Sequence, residues 1–257
     1  MIGQPADGSS RAPAQLVWSP ENPRVLACLT DSEITDCQLL PWGSNYTFVV
    51  EMDAGENGKS LGIYKPRRGE SPLYDFPNGT LYQREYASYL VSQALGWAFI
   101  PPTVVRDGPH GIGTVQLFIP SVEGAHYFTF QTERDDDLKP ICAFDCVTNN
   151  ADRKGGHCLL GLDGRVWGID HGLTFNEDYK LRTVIWEYSA HPIPDHLVAD
   201  MTKFLACLEH QEPPFAELSE LINSREMEAL CRRLRKLIET ARFPEPGPWR
   251  NVPYPRV

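Results

Sequence analysis

The chain has 257 residues, enough for one large domain or for two lobes that share a cleft. Its apolar fraction of 42% supports a packed core and excludes wholesale disorder. A formal net charge of -10 excludes a broad nucleic-acid-binding face, which requires clustered Lys and Arg.

Met1 to Pro13 are small and polar and read as a mobile tail. Strand-like character begins near Glu33. Residues 36–40 run into Pro41-Trp42-Gly43-Ser44-Asn45, and residues 46–52 resume with aromatic and β-branched side chains. Gly55 to Gly58 reads as a hairpin turn, and residues 60–65 return until Pro66 stops the strand. Asn78-Gly79-Thr80 starts a helix whose apolar positions recur with helical spacing until Gly96 closes it. Two further β-rich runs, 103–106 and 113–119, flank a turn at 108–111, and Pro120 and Gly124 mark a hinge-like break. Beyond it the chain is mainly helical, with helices expected over 138–149, 196–210 and 224–241. Two short strands, 158–161 and 166–169, turn on 162–165. The expected organisation is a flexible tail (1–13), an N-lobe (14–120), a C-lobe (121–242) and a proline-rich tail (243–257).

Seven cysteines form no C-x-x-C pair, and Cys142 and Cys146 lie four apart in an apolar helical run, so free thiols are expected. With no signal peptide near Met1 and no apolar run of bilayer length, the reading is a cytoplasmic protein whose membrane contact, if any, is peripheral.

The chemistry-bearing residues concentrate between 149 and 172. Asp152 lies in a polar loop after an apolar helix, His157 follows five residues on, and Asp170 ends an apolar strand in Ile169-Asp170-His171-Gly172. A hairpin turning at Asp163-Gly164 brings Asp170 back beside His157, so two side chains converge on one ion. That is the arrangement phosphoryl transfer needs: one carboxylate for the attacking hydroxyl and a ligand pair for a metal on the nucleotide phosphates. His157 stands where the D-x-x-x-x-N pattern has an amide. It is either a metal ligand or a neutral histidine shaping the loop, and Asn149 or Asn150 is the alternative source of an amide oxygen. Imidazole with one carboxylate suits Mn²⁺ better than Mg²⁺, and ligation is expected to weaken as pH falls through the histidine range. Lys65 ends a strand upstream of a helix carrying Glu85, the order of a phosphate-contacting lysine held by a helix carboxylate, although Arg84-Glu85 also reads as an exposed pair. Gly43-Ser44-Asn45 offers backbone N–H groups to phosphates but is neither a Walker A motif nor G-x-G-x-x-G. H-E-x-x-H is absent; a transition-metal site of His157, Asp170 and His171 is the lesser alternative.

Through Gly43-Ser44-Asn45-Tyr46-Thr47-Phe48, Gly62-Ile63-Tyr64-Lys65-Pro66, Arg84-Glu85-Tyr86-Ala87, Asn150-Ala151-Asp152-Arg153 and Ile169-Asp170-His171-Gly172, the chain resembles the phosphatidylinositol 3-/4-kinase-like family. The likeness is to its bacterial members and to the type II phosphatidylinositol 4-kinases, and more distantly to HipA-type kinases. The resemblance implies an α+β, two-lobed protein-kinase-like fold, with an antiparallel N-lobe sheet plus one helix, a helical C-lobe, and ATP with a divalent metal (Mg or Mn) in the cleft. It implies that Lys65 contacts phosphates, Glu85 orients Lys65, Asp152 is the catalytic aspartate and Asp170 binds metal, with His157 at the family's metal-binding Asn. Residues 173–182 hold no dense basic cluster of the kind inositol phosphates attract, so the expected acceptor is a protein or small-molecule/lipid hydroxyl. The alternatives are a nucleotide-binding pseudokinase acting as an adaptor, and nucleotidyl transfer on the same fold.

Overall fold

The computed structural model describes residues 18–41 and 45–257. The expected 1–13 tail, and Gly43 and Ser44 of the candidate phosphate loop, lie outside the described residues.

A short helix α1 (Val25–Asp31) precedes strands β1 (Glu33–Leu39), β2 (Phe48–Asp53) and β3 (Lys59–Pro66). After helix α2 (Leu81–Ala94) come β4 (Thr103–Gly108) and β5 (Gly111–Leu117). The five strands form one antiparallel sheet in the order β1-β2-β3-β5-β4. Alternation along β3 buries Ser60, Gly62, Tyr64 and Pro66 on one face and leaves Leu61, Ile63 and Lys65 on the other. Ile63 and Lys65 therefore share the face that lines the cleft. β5 approaches closely at this point because Gly113 has no Cβ; one there would run into the Lys65 carbonyl and the Pro66 backbone.

The second lobe holds α3 (Tyr127–Phe130), α4 (Asp135–Thr148), the hairpin β6 (Cys158–Leu160) and β7 (Val166–Gly168), and helices α5 (Asp195–Glu209), α6 (Phe215–Leu221) and α7 (Ser224–Thr240). Helix α4 starts three residues before the expected Leu138. Asp135, Asp136 and Asp137 fill its first turn, where carboxylates complement the helix dipole. Asn149 ends it with a left-handed backbone, φ 59°. Helices α1, α3 and α6 are too short to show a periodicity and were not anticipated. The proline-rich segment after Thr240 is an ordered strap. The Asn251 carbonyl accepts from Thr183 N (3.1 Å) and Trp186 Nε1 (3.0 Å), and the Arg256 carbonyl accepts from Gly155 N (2.7 Å). All seven cysteines are free. Among the described residues no helix is long and apolar enough to cross a membrane.

The lobes interlock through their cores. Val50, Met52, Tyr64, Val115 and Leu117 of the sheet pack with Trp167 of β7, while Ala87, Tyr89 and Val91 of α2 join the cluster formed by Phe144, Phe204, Leu230 and Leu234. Arg84 on α2 reinforces this. It is buried, donates to Thr174 O (2.7 Å) and pairs with Glu226 of α7 at 2.6 Å. The reading of Arg84-Glu85 as an exposed helix pair is thus corrected: both side chains are 2% exposed. Glu226 also caps α7 by accepting from Asn223 N. Removing one partner of a buried ion pair strands the other, so Arg84→Met is expected to cost about 3–5 kcal/mol in denaturant unfolding. Arg84→Met/Glu226→Met should recover part of that loss, and unchanged stability in the single variant would show that the pair does not join α2 to α7.

Candidate functional site

The loop 150–157 is built on a buried ion pair. Arg153 and Asp145 are both fully buried, and the guanidinium grips the carboxylate through Nε to Oδ2 (3.0 Å) and Nη2 to Oδ1 (2.9 Å). The same guanidinium donates to the carbonyls of His157 (3.2 Å) and Ile169 (3.1 Å) and to His171 Nε2 (2.7 Å). One side chain therefore joins the end of α4, the loop, and the segment carrying Asp170. A guanidinium only donates, so His171 Nε2 accepts and Nδ1 carries its proton. His171 is buried against Phe99 and Phe144, on the Arg153 side. That disposes of the transition-metal alternative in which His171 flanks Asp170 as a ligand. Among the described residues no three His, Cys, Asp or Glu side chains group as a metal site.

Asn149 and Asn150 are also structural. Asn149 donates to the carbonyls of Asn176 (3.0 Å) and Asp178 (2.6 Å), and its own amide oxygen accepts from Lys180 N (2.8 Å). Asn150 donates to Asp145 (2.9 Å) and accepts from Asp152 N (3.0 Å). Both are fully buried, so neither supplies an amide oxygen to the cleft.

The remaining candidates meet at Lys65. Its Nζ lies 3.1 Å from Glu85 Oε2 and 2.9 Å from Asp170 Oδ1. Glu85 Oε2 also accepts from His171 N at 3.1 Å, tying α2 to the Asp170 segment. Asp170 is held at φ 60°, a left-handed conformation uncommon for a residue with a side chain. Its Oδ2 lies 3.3 Å from His157 Nε2. Asp152 pairs with Lys154 at 3.1 Å. Asn45 braces the β3–α2 connection, its amide oxygen accepting from Ser71 N at 2.7 Å.

The electrostatics follow from this packing. Burial opposes the Lys65 charge, but Asp170 and Glu85 outweigh it and hold the ammonium above its ordinary range. The Lys65 ammonium holds the Asp170 carboxyl well below the usual range. Burial raises Glu85, with Lys65 opposing. It also raises Asp152, where Lys154 opposes. Burial pushes the His157 imidazole down to about 4, against the pull of Asp170. Neutral His157 accepts from Lys154 N at Nδ1 (3.4 Å), which leaves the ring proton on Nε2, facing Asp170.

Two cavities meet over the Lys65–Asp170 pair. One, of about 390 Å³, is polar and includes Glu85, Asp152, Lys154, Leu173 and Val257. The other, of about 370 Å³, is a mainly apolar slot between Ile63 and Gln116 on the sheet side and Leu159 and Ile169 on the other. Asn45, Lys65, His157 and Asp170 line both.

Sequence reasoning overlooked Arg153, Asp145 and Lys154 as working residues. The available signal was Asp145, a lone acid between Phe144 and Cys146 in an apolar helix, since a buried carboxylate requires a partner.

The expected loss of metal ligation through the ordinary histidine range is also displaced: His157 stays neutral until far lower pH. Its folded pKa lies below the unfolded value, so its neutral packing contributes stability above about pH 6.5 that is lost as pH falls towards 4. Native protein is therefore expected to lose about 2 kcal/mol more than His157→Asn between pH 7 and pH 4.5, read by urea unfolding at both values. Equal losses would place the imidazole in contact with water.

No family model matches the chain. Protein Rv2133c of Mycobacterium tuberculosis is 36% identical over 265 aligned positions, spanning 89% of this chain and 94% of that protein. Phosphatidylinositol 4-kinase gamma 3 of Arabidopsis thaliana is 26% identical over 137 positions, 41% of this chain and 24% of the plant protein. Among solved structures, hydra Fam20 with sugar superposes with a TM-score of 0.51 at 15% identity, covering 84% of this chain and 87% of that one. The expected α+β, two-lobed kinase-like fold is the fold of this chain. With identity sustained over nearly the full length of both proteins, the chain belongs to the family of Mycobacterium tuberculosis Protein Rv2133c.

Proposed function

We propose that the chain is an ATP-dependent phosphotransferase that phosphorylates a hydroxyl group on a protein, small molecule or lipid. The observation that carries the reading is Lys65, held between Glu85 and Asp170 where an apolar slot opens into a polar cavity that holds Asp152. The slot suits a purine base and the Lys65–Asp170 junction suits its phosphates. The partial likeness to a phosphatidylinositol 4-kinase supports the same chemistry, and a place within the phosphatidylinositol 3-/4-kinase-like group.

In this reading Asp152 accepts the proton of the acceptor hydroxyl as its oxygen bonds to the γ-phosphorus. The bond from that phosphorus to the β–γ bridging oxygen breaks and ADP leaves. Burial makes Asp152 more basic than a surface aspartate, and Lys154 works against that rise. Lys154 is also placed to follow the transferring phosphoryl oxygens. Asp170 and His157 fit a divalent ion: a half-exposed carboxylate and an imidazole nitrogen lie 3.3 Å apart beside the phosphate position. His157 would ligate through Nε2 only with its ring proton moved to Nδ1, which gives up the 3.4 Å bond from Lys154 N. The ion, when bound, neutralises charge on the phosphates.

Incubation with γ-labelled and α-labelled ATP in parallel, on protein, metabolite and lipid fractions, tests the reaction. Label from the γ position alone is expected, and label from the α position would establish nucleotidyl transfer instead. Asp152→Asn should lower turnover by roughly 10²–10⁴-fold while keeping nucleotide affinity. Near-native turnover would remove Asp152 from the chemistry, and nucleotide binding with no transfer in any fraction would favour an adaptor pseudokinase.

The donor set also makes the activity metal-selective. Mn²⁺ is expected to support transfer better than Mg²⁺ at equal concentration, and His157→Asn should move the preference towards Mg²⁺ by restoring an amide oxygen. A native preference for Mg²⁺ that the variant leaves unchanged would make His157 a loop-shaping residue only.

A further inference from the structure

A third cavity, of about 650 Å³, lies on the C-lobe away from the cleft, between α7, the 179–181 segment and the strap. Its walls include Leu181, Leu237, Phe243 and Trp249. Trp249 and Tyr179 meet edge to face at 5.8 Å and are about half exposed at the mouth, 55% and 47%. The size is that of a small-molecule pocket, too small for a folded partner.

Its charge runs against that of the chain. Arg233, Lys236 and Arg242 line it against the single acid Glu245, in a protein whose net charge is -10. Arg233 donates through Nε to Val147 O (2.7 Å) and through Nη1 to Asn176 O (3.3 Å), while its buried Nη2 has no hydrogen-bond partner. Arg242 uses Nη1 on Ala190 O (2.7 Å). Arg233, Lys236 and Arg242 leave the cavity with an excess of positive charge that the acid group of a ligand would offset. Burial and the neighbouring Arg232 lower the Arg233 pKa to about 10, as expected of a cation short of counter-charge.

We propose that this cavity binds a single-chain anionic amphiphile, a medium-chain carboxylate. Its acid group sits on Arg233 and Lys236, and its chain lies against Leu181, Leu237, Phe243 and Trp249. The site stands apart from the cleft and does not depend on the reaction assigned there.

Equilibrium dialysis of the full chain against radiolabelled dodecanoate, below its critical micelle concentration, tests this. Saturable binding at one per chain is expected, with dodecanol at least about tenfold weaker because it cannot form the charged contacts. Arg233→Gln should weaken dodecanoate binding by about tenfold. Because Arg233 also holds two backbone carbonyls, Lys236→Glu serves as a second variant; its side chain is exposed, the fold should persist, and binding should fall severalfold. Non-saturable uptake, dodecanol binding as tightly as dodecanoate, or native affinity in Lys236→Glu and in folded Arg233→Gln would overturn the proposal. So would binding only to phosphatidylglycerol vesicles and not to free dodecanoate, which would make this a membrane-facing surface.

Discussion

The buried pair Arg153–Asp145 is the interaction on which the rest of the site depends. Two fully buried charges are tolerable because they satisfy each other with bidentate geometry and because the spare guanidinium hydrogens are used. Those hydrogens reach the carbonyls of His157 and Ile169 and the ring of His171, so the loop with Asp152 and the segment with Asp170 share one anchor. Asn150 adds a further bond to the same carboxylate. Loss of Arg153 would leave Asp145 uncompensated in an apolar interior and separate the two acids that face the cleft. The pair is therefore a positioning device first and a source of stability second.

The other organising constraint is helix α2, which serves both lobes at once. Successive residues divide the work: Arg84 binds Glu226 and Thr174 on the helical side, and Glu85 binds Lys65 of the sheet and the backbone of His171. Because Ala87, Tyr89 and Val91 also pack into the C-lobe cluster, moving α2 away from the cleft would expose apolar surface and break a buried ion pair. Lys65 is thereby held at the junction of the two cavities. The strap beyond Thr240 reaches the same loop through the Gly155 N to Arg256 O bond, and Gly155 leaves room for Phe128: a Cβ there would stand 2.8 Å from its ring.

Much of this could be read from residue order. Alternation around Gly62-Ile63-Tyr64-Lys65 placed Lys65 on a strand, the Asp163-Gly164 turn placed Asp170 beside His157, and Asn78-Gly79-Thr80 with Gly96 bounded α2. These are local signals. What could not be read depends on contacts between distant segments. Arg84 looks like a surface charge until Glu226, on a helix that begins about 140 residues later, is folded against it. Asn149 and Asn150 looked like turn residues or metal donors; the chain around 176–180 consumes the amide of Asn149, and buried Asp145 with Asp152 N consumes that of Asn150. The strap lacks any helical or strand period, because side-chain and backbone bonds to the C-lobe, rather than a repeating ladder, hold it in place.

In the proposed reaction the nucleotide phosphates lie at the junction above Lys65 and Asp170. A crystal structure of the chain with Mn²⁺ and the non-hydrolysable analogue AMP-PNP tests it most directly. The expected result is adenine between Ile63 and Ile169, the phosphates on Lys65, and the ion on Asp170 with His157. Nucleotide bound outside the two joined cavities, or Lys65 turned away from it, would contradict the account.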